Sequence, residues 1–188
     1  MEISLIRHGR SKFTENRRIS SKEFHDWVKS YDEHGVFEET IYPSLTTEKI
    51  QSSNLVITSD LKRAIESAKL LSPKVELISN SLFNETELPL PSVNLKGLKL
   101  IPNYWLVVMR SLWLSGYSNG CESLKEAKQR SKKAAQLLVE YAEEHNTVCL
   151  VGHGFFNRLL AKELKNMGWE GKRTSAKHWS CMTYSSQK

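Results

Sequence analysis

The sequence predicts an α/β fold, a three-layer sandwich whose mainly parallel central sheet is flanked by helices. Three short apolar runs carry this prediction: ISLIR (3–7), NLVITS (54–59) and TVCLVG (147–152). Each run is nearly continuous rather than alternating, which is typical of strands covered on both faces. Helical patterns lie between and after these runs, as parallel strands require. Two weaker strands are expected at VELI (75–78) and WSCMTYS (179–185).

Three amphipathic helices are expected to cover the sheet. The first begins near Asp60, a residue suited to cap its N-terminus. The second runs from about Ser123 to Glu143 and opens with a Ser-x-x-Glu capping box whose acidic member is Glu126. The third follows His153. Apolar residues at helical spacing form the inward faces: Leu61, Ile65, Ala68 and Leu71 in the first, Leu124, Ala127, Ala134, Leu138 and Tyr141 in the second, and Phe156, Leu159, Leu160, Leu164 and Met167 in the third.

Two segments do not belong to this alternation. The apolar stretch 100–117 is interrupted by Asn103 and Arg110 and falls short of the ~20 apolar residues of a membrane span, so we interpret it as a covering helix. Aromatic residues also mark the segment 17–41. We therefore expect one domain over 1–188, with lid or insert segments at about 17–41 and 90–120.

Charge and cysteine content exclude several classes. The net charge of +6 and the pI near 9.2 suit phosphorylated small molecules, nucleic acids or anionic membranes. The basic residues are scattered, which favours a solvated surface over a nucleic-acid groove. Cys121, Cys149 and Cys181 lie far apart, so we expect neither a disulfide framework nor a metal site. Without a secretory signal pattern, we expect a cytoplasmic protein with no nucleic-acid or membrane partner. The oligomeric state stays open.

Each main strand ends in residues suited to an anion. The first ends in RHG (7–9), the second in SDLKRA (59–64) and the third in GHG (152–154). Parallel strands bring their carboxyl ends to one edge of a sheet, where two histidines and two arginines would converge. Arg63 lies about 200° around a helix from Leu61, so it should turn away from the core and be free for an anion. A helix N-terminus after GHG also attracts negative charge, which predicts a phosphate site.

Four stretches together carry a family resemblance. They are LIRHGRS, ITSDLKRAIESA, ESLKEAKQRSKKAAQLL and VCLVGHGFFNRLLAKEL, in this order along the chain. The sequence resembles the histidine phosphatase superfamily, the phosphoglycerate-mutase-like proteins, over most of its length, and most closely its compact phosphatase branch. The resemblance implies a phosphoglycerate-mutase-like fold.

The resemblance also implies roles for single residues. His8 would attack phosphorus and form a phosphohistidine, while Arg7, Arg63 and His153 hold the phosphoryl oxygens. No metal or other cofactor would be needed. The family takes the leaving-group proton from a carboxylic acid in the region that here reads LFNETELPLP (82–91).

Within this loop Glu85 has the family's usual spacing from Leu82, and Glu87 is the close second. Gly154 is also expected to contact the substrate, because it stands at the helix start, where backbone N–H groups favour negative charge. Many relatives place Asn a few residues after the first motif, where this chain has Thr14. Asn16 and Ser11 are therefore the expected substitutes there.

These expectations define a phosphatase that hydrolyses a phosphomonoester of a small molecule or a phosphoprotein. The alternatives are a phosphoglycerate-mutase-type phosphotransferase and a non-catalytic phosphate-binding regulatory protein. A mutase usually needs a longer lid to keep its intermediate from water, and a regulatory protein usually lacks a catalytic residue. The substrate stays open, because the segments that would select it carry no motif. Trp105, Trp113 and Tyr117 suggest an aromatic cover over the site.

Overall fold

Strands and helices alternate along the chain in the computed structural model, which describes residues 1–74, 76–91, 97–172, 175 and 177–187. The strands are β1 (Glu2–Arg7), β2 (Leu55–Thr58), β3 (Leu77–Ser79), β4 (Thr147–Gly152), β5 (Glu170–Gly171) and β6 (Cys181–Ser185). The helices are α1 (Ser21–Glu33), α2 (Ser44–Gln51), α3 (Lys62–Leu71), α4 (Pro102–Leu114), α5 (Leu124–His145) and α6 (Phe156–Asn166). None of these helices is long and apolar enough to cross a membrane.

The strands form one sheet in the order β3-β2-β4-β1-β6-β5. Strands β3, β2, β4 and β1 pair in parallel, while β6 runs antiparallel to β1 and β5 antiparallel to β6. The prediction of a mainly parallel sheet is confirmed. The carboxyl ends of β1, β2 and β4 therefore meet at one edge, beside the start of α3 and α6.

Helices cover both faces of the sheet, which confirms the three layers. On one face, Leu5 of β1 packs in a core with Leu138 of α5 and Leu160 of α6. On the other face, Ile6 packs in a second core with residues of α2 and α3, among them Ile50. Neighbouring residues of β1 thus enter different cores, which explains why its sequence is continuously apolar.

Several boundaries differ from the expectation. Helix α3 is capped by the extended backbone of Leu61 and not by Asp60, because the Leu61 carbonyl accepts the first helical hydrogen bonds. Strand β3 begins at Leu77, and Val75 of the expected VELI strand lies outside the described residues. Met167 does not face inward but is 37% exposed, because α6 ends one residue before it.

Helices α1 and α4 form a small third core apart from the sheet. Phe24 and Trp27 of α1 pack with Trp105 and Met109 of α4. The indole N–H of Trp105 donates to the Ile19 carbonyl over 2.9 Å, which ties α4 to the segment before α1. Trp105 is fully buried, so it serves packing and not an exposed aromatic cover. Helices α1 and α4, which lie in the two expected insert segments, therefore stabilise each other by packing.

Candidate active site

His8 lies at the carboxyl end of β1 and is only 3% exposed. Its Nδ1 lies 2.7 Å from the Gly9 carbonyl oxygen. A carbonyl only accepts hydrogen bonds, so Nδ1 carries the proton and Nε2 keeps its lone pair. The turn is fixed further, because Gly9 N–H donates to Ser67 Oγ over 2.9 Å. The local geometry thus leaves the Nε2 lone pair of His8 available.

The surroundings of His8 keep its ring neutral. Burial lowers its pKa well below the ordinary value of 6.5, and the positive charge of Arg63 lowers it further. Both effects disfavour the imidazolium form. A neutral ring at neutral pH is the form that can attack an electrophile.

His153 stands beside His8 at the end of β4. The two ring centroids are 5.1 Å apart, and His153 is fully buried. Its Nε2 hydrogen-bonds Ser59 Oγ over 2.6 Å, whereas its Nδ1 has no hydrogen-bond partner among the described residues. Burial, followed by Arg63, lowers the pKa of His153 well below its ordinary value. Strands β4 and β1 therefore bring the two predicted histidines together.

The two predicted arginines lie at the same edge of the sheet. Arg7 packs against Gly154 so closely that a Cβ there would lie 3.0 Å from Arg7 Nε. Burial lowers the pKa of Arg7. A Cβ at position 154 would therefore require Arg7 to shift by a few tenths of an ångström, so glycine leaves Arg7 its observed position.

Arg63 differs from the expectation in two respects. It is 3% exposed rather than turned outward, and its Nη1 donates to Asp32 Oδ1 of α1 over 2.6 Å. Its guanidinium also lies 5.0 Å from the centre of the Tyr31 ring. Because α3 begins at Lys62, Arg63 stands in the first turn, where α1 and the cavity meet it. A phosphate at this position would have to share Arg63 with Asp32.

Both candidate acids line the same cavity as Arg7, His8 and Arg63. The two oxygens of Glu85 accept the N–H groups of Phe155 and Phe156 at the start of α6, over 3.0 and 2.9 Å. Glu87 is exposed, and its Oε2 accepts the Glu122 N–H over 3.2 Å. The loop thus presents both carboxylates, but the backbone of α6 holds Glu85 more firmly.

Ser11 and Asn16 are not brought to the cavity. Neither is among the described residues that line it. Ser11 is buried and its Oγ accepts the Phe13 N–H over 3.1 Å, while Asn16 is exposed. The reason is that residues 10–12 pair with residues 35–37 after α1, which draws Ser11 away from the strand end. The expected contacts of these two residues with the substrate do not fit this placement.

Two residues that the sequence motifs did not reveal hold the turn at the end of β1. His178 Nδ1–H donates to the His8 carbonyl over 3.0 Å, and Trp179 N–H donates to the Arg7 carbonyl over 3.1 Å. Trp179 has φ = 60°, a strained value for a bulky residue, and its indole occupies the space that a Cβ of Gly9 would need. This explains the glycine after His8. In the sequence, only the pair of aromatic residues His178 and Trp179 just before β6 could have indicated these contacts.

The chemistry of the site suits a phosphoryl group. Arg7, Arg63 and the neutral imidazole of His8 line the cavity. His153 lies beside His8 but is not among the described residues that line the cavity, and Glu85 accepts the amide groups at the start of α6. Within the described part of the chain, no group of three or more His, Cys, Asp or Glu side chains could hold a metal ion.

Comparison with known proteins agrees with this arrangement. A family model described as the histidine phosphatase superfamily (branch 1) matches residues 39–185. The RHG segment precedes this match, and the structure joins it to the matched part through β4 and β6. No curated protein matches the chain at a significant level.

Solved structures share the fold. The chain resembles a phosphoserine phosphatase from Entamoeba histolytica (16% identity, TM-score 0.57, covering 97% of this chain and 89% of that one). It also resembles a mycobacterial glucosyl-3-phosphoglycerate phosphatase (18%, 0.54, 87% and 78%). A third is the α-ribazole phosphatase from Shigella flexneri (19%, 0.52, 87% and 79%). At these identities the likeness concerns the fold alone.

Proposed function

Because the chain belongs to the histidine phosphatase superfamily, we propose that it hydrolyses a small-molecule phosphomonoester through a phosphohistidine on His8. The observation that carries this proposal is the ring of His8, which is neutral, has an unprotonated Nε2 and lines a cavity shared with Arg7 and Arg63. The nucleophile and the cations that a phosphoryl group needs thus stand at one place.

The first step replaces one bond to phosphorus by another. Nε2 of His8 attacks phosphorus and forms an N–P bond while the ester P–O bond breaks. The departing alkoxide takes a proton from a carboxylic acid, for which Glu85 is the preferred candidate and Glu87 the second. Arg7, Arg63 and His153 stabilise the charge on the phosphoryl oxygens.

The second step regenerates the enzyme. Water attacks the phosphorus of the phosphohistidine and gives up a proton to the carboxylate that acted as acid in the first step. The N–P bond breaks, and inorganic phosphate leaves with His8 neutral again. The two displacements need no metal ion, because Arg7, Arg63 and His153 supply the stabilising interactions.

The test is turnover of p-nitrophenyl phosphate by the purified protein with and without EDTA. We expect hydrolysis that survives EDTA, and the variant His8→Ala should lose it while keeping the native circular dichroism spectrum. A rapid quench with a ³²P-labelled substrate should trap protein-bound label in the wild type and none in His8→Ala. Near wild-type activity of His8→Ala would refute the mechanism, and a strict requirement for added Mg²⁺ or Zn²⁺ would refute its metal independence.

A further inference from the structure

The cavity at the site extends well beyond the space that a phosphoryl group needs. Its volume is about 390 Å³, a size typical of sites for small molecules. Arg7, His8 and Arg63 line it together with residues of α1, α4 and the loop after Glu85. The part of the substrate other than the phosphoryl group must therefore lie between these elements.

The direction of the leaving group follows from the chemistry proposed above. In phosphoryl transfer the attacking and leaving atoms stand roughly in line through phosphorus. A leaving group opposite His8 must therefore point away from the end of β1. Most of the other residues that line the cavity belong to α1, α4 and the loop 85–90, so the leaving group must lie among these elements.

These walls are apolar and partly aromatic. The residues that form them are Trp27, Val28 and Tyr31 of α1, Leu88 and Leu90 of the loop, and Leu106 of α4. Trp27 and Tyr31 are stacked, with ring centroids 5.4 Å apart and an interplanar angle of 16°. Tyr31 in turn lies under Arg63, so the aromatic wall reaches from the phosphate end outward.

The charged side chains next to these walls either have protein partners or are exposed. Asp32 is bound to Arg63, and Arg110 donates to the Thr86 carbonyl and hydroxyl oxygens over 3.0 and 2.7 Å. Lys29 and Glu87 are exposed and therefore stand at the mouth of the cavity. Against Val28, Leu88 and Leu106, a leaving group rich in hydroxyl groups would lose hydrogen bonds to water without equivalent replacement. An apolar leaving group would gain by leaving water.

We propose, on the basis of the phosphatase function proposed above, that the substrate is a phosphomonoester whose leaving group carries an apolar ring system, held between α1, α4 and the loop 88–90. Tyr31 and Trp27 pack against the ring on one side, and Leu106 contacts it from α4. Helices α1 and α4, from the two expected insert segments, thus select the substrate.

The test compares butyl phosphate with 4-phenylbutyl phosphate. Both release a primary alcohol of similar basicity, so a difference in kcat/KM reports binding of the ring and not leaving-group chemistry. We expect 4-phenylbutyl phosphate to be preferred about tenfold or more, since even a single buried methylene group can be worth that factor in a closed pocket.

A matched pair of variants on α4 locates the effect. Leu106→Asn should reduce the preference for 4-phenylbutyl phosphate at least about threefold, because it places an amide in the apolar wall. Val107→Asn carries the same change at an adjacent residue that is 64% exposed and does not line the cavity, and it should keep the preference. If Leu106→Asn does not fold, Val28→Asn on α1 tests the same wall.

The outcomes separate the two proposals. Hydrolysis of both alkyl phosphates with equal kcat/KM would overturn the apolar leaving group and leave the phosphatase function standing. An equal loss of preference in Leu106→Asn and Val107→Asn would also overturn it. No turnover of either alkyl phosphate or of p-nitrophenyl phosphate would refute the phosphatase function, and the apolar substrate with it.

Discussion

The burial of His8 and His153 makes the stability of the protein depend on pH in a predictable way. Both rings have pKa values well below 6.5 in the folded state, because burial and Arg63 disfavour their protonation. In the unfolded chain they return to about 6.5. As the pH falls below 6.5, the unfolded state therefore takes up protons that the folded state refuses. Stability is fully present above this value and is lost toward the lower, folded-state pKa values.

The magnitude follows from proton counting. At pH 5.5 an unfolded histidine binds about 0.9 proton more than a buried neutral one, which lowers the free energy of unfolding by about 1.2 kcal/mol per pH unit. His8 and His153 together contribute about 2.5 kcal/mol per pH unit near pH 5.5. The variant His8→Gln removes one of these contributions.

The assay is urea unfolding followed by tryptophan fluorescence at pH 7.5, 6.5 and 5.5. The slope of unfolding free energy against pH near pH 5.5 should be smaller in His8→Gln than in the wild type by about 1.2 kcal/mol per pH unit. Ile57→Val is the control, because it loses about 0.5–1.5 kcal/mol of core packing without removing a titrating group. A wild-type slope in His8→Gln would refute the argument, since His8 would then protonate equally in both states.

Two further predictions concern single residues of the site. Arg63→Ala should weaken vanadate binding about 10- to 100-fold and slow turnover, because charged hydrogen bonds are worth about 1.5–3 kcal/mol. The control is Lys62→Ala at the exposed neighbouring residue, which should change the affinity for vanadate and the turnover rate less than about threefold. If vanadate titrations and rate assays show equal effects of Arg63→Ala and Lys62→Ala, the general positive charge of the site and not the placed guanidinium binds the anion. Glu85→Gln should slow hydrolysis of an alkyl phosphate about 100- to 10,000-fold. It should slow hydrolysis of p-nitrophenyl phosphate far less, because nitrophenolate leaves without a proton. Glu87→Gln should slow the hydrolysis of both substrates only a little. The opposite pattern would exchange the two roles, and no leaving-group dependence in either variant would place the acid elsewhere.

The strand ends could be predicted from the sequence, but the contacts between distant segments could not. His8 and His153 follow apolar runs, and a parallel sheet necessarily brings such ends to one edge. The ion pair of Arg63 with Asp32 depends on how α1 packs on α3, which no local periodicity encodes. The placement of Ser11 was missed for the same reason, since its neighbours pair with a segment about 25 residues away.

The position of β6 beside β1 has a consequence for synthesis of the protein on the ribosome. The backbone beside His8 is held by Trp179 and Ser180, so the turn at the end of β1 is complete only after these two residues have been synthesised. At usual rates of about 5–20 residues per second, β1 waits roughly 10–40 s for its last neighbour. During this time an apolar strand with open edges is available to chaperones or to aggregation. The turn at His8 therefore reaches its observed geometry only when β6 docks beside β1.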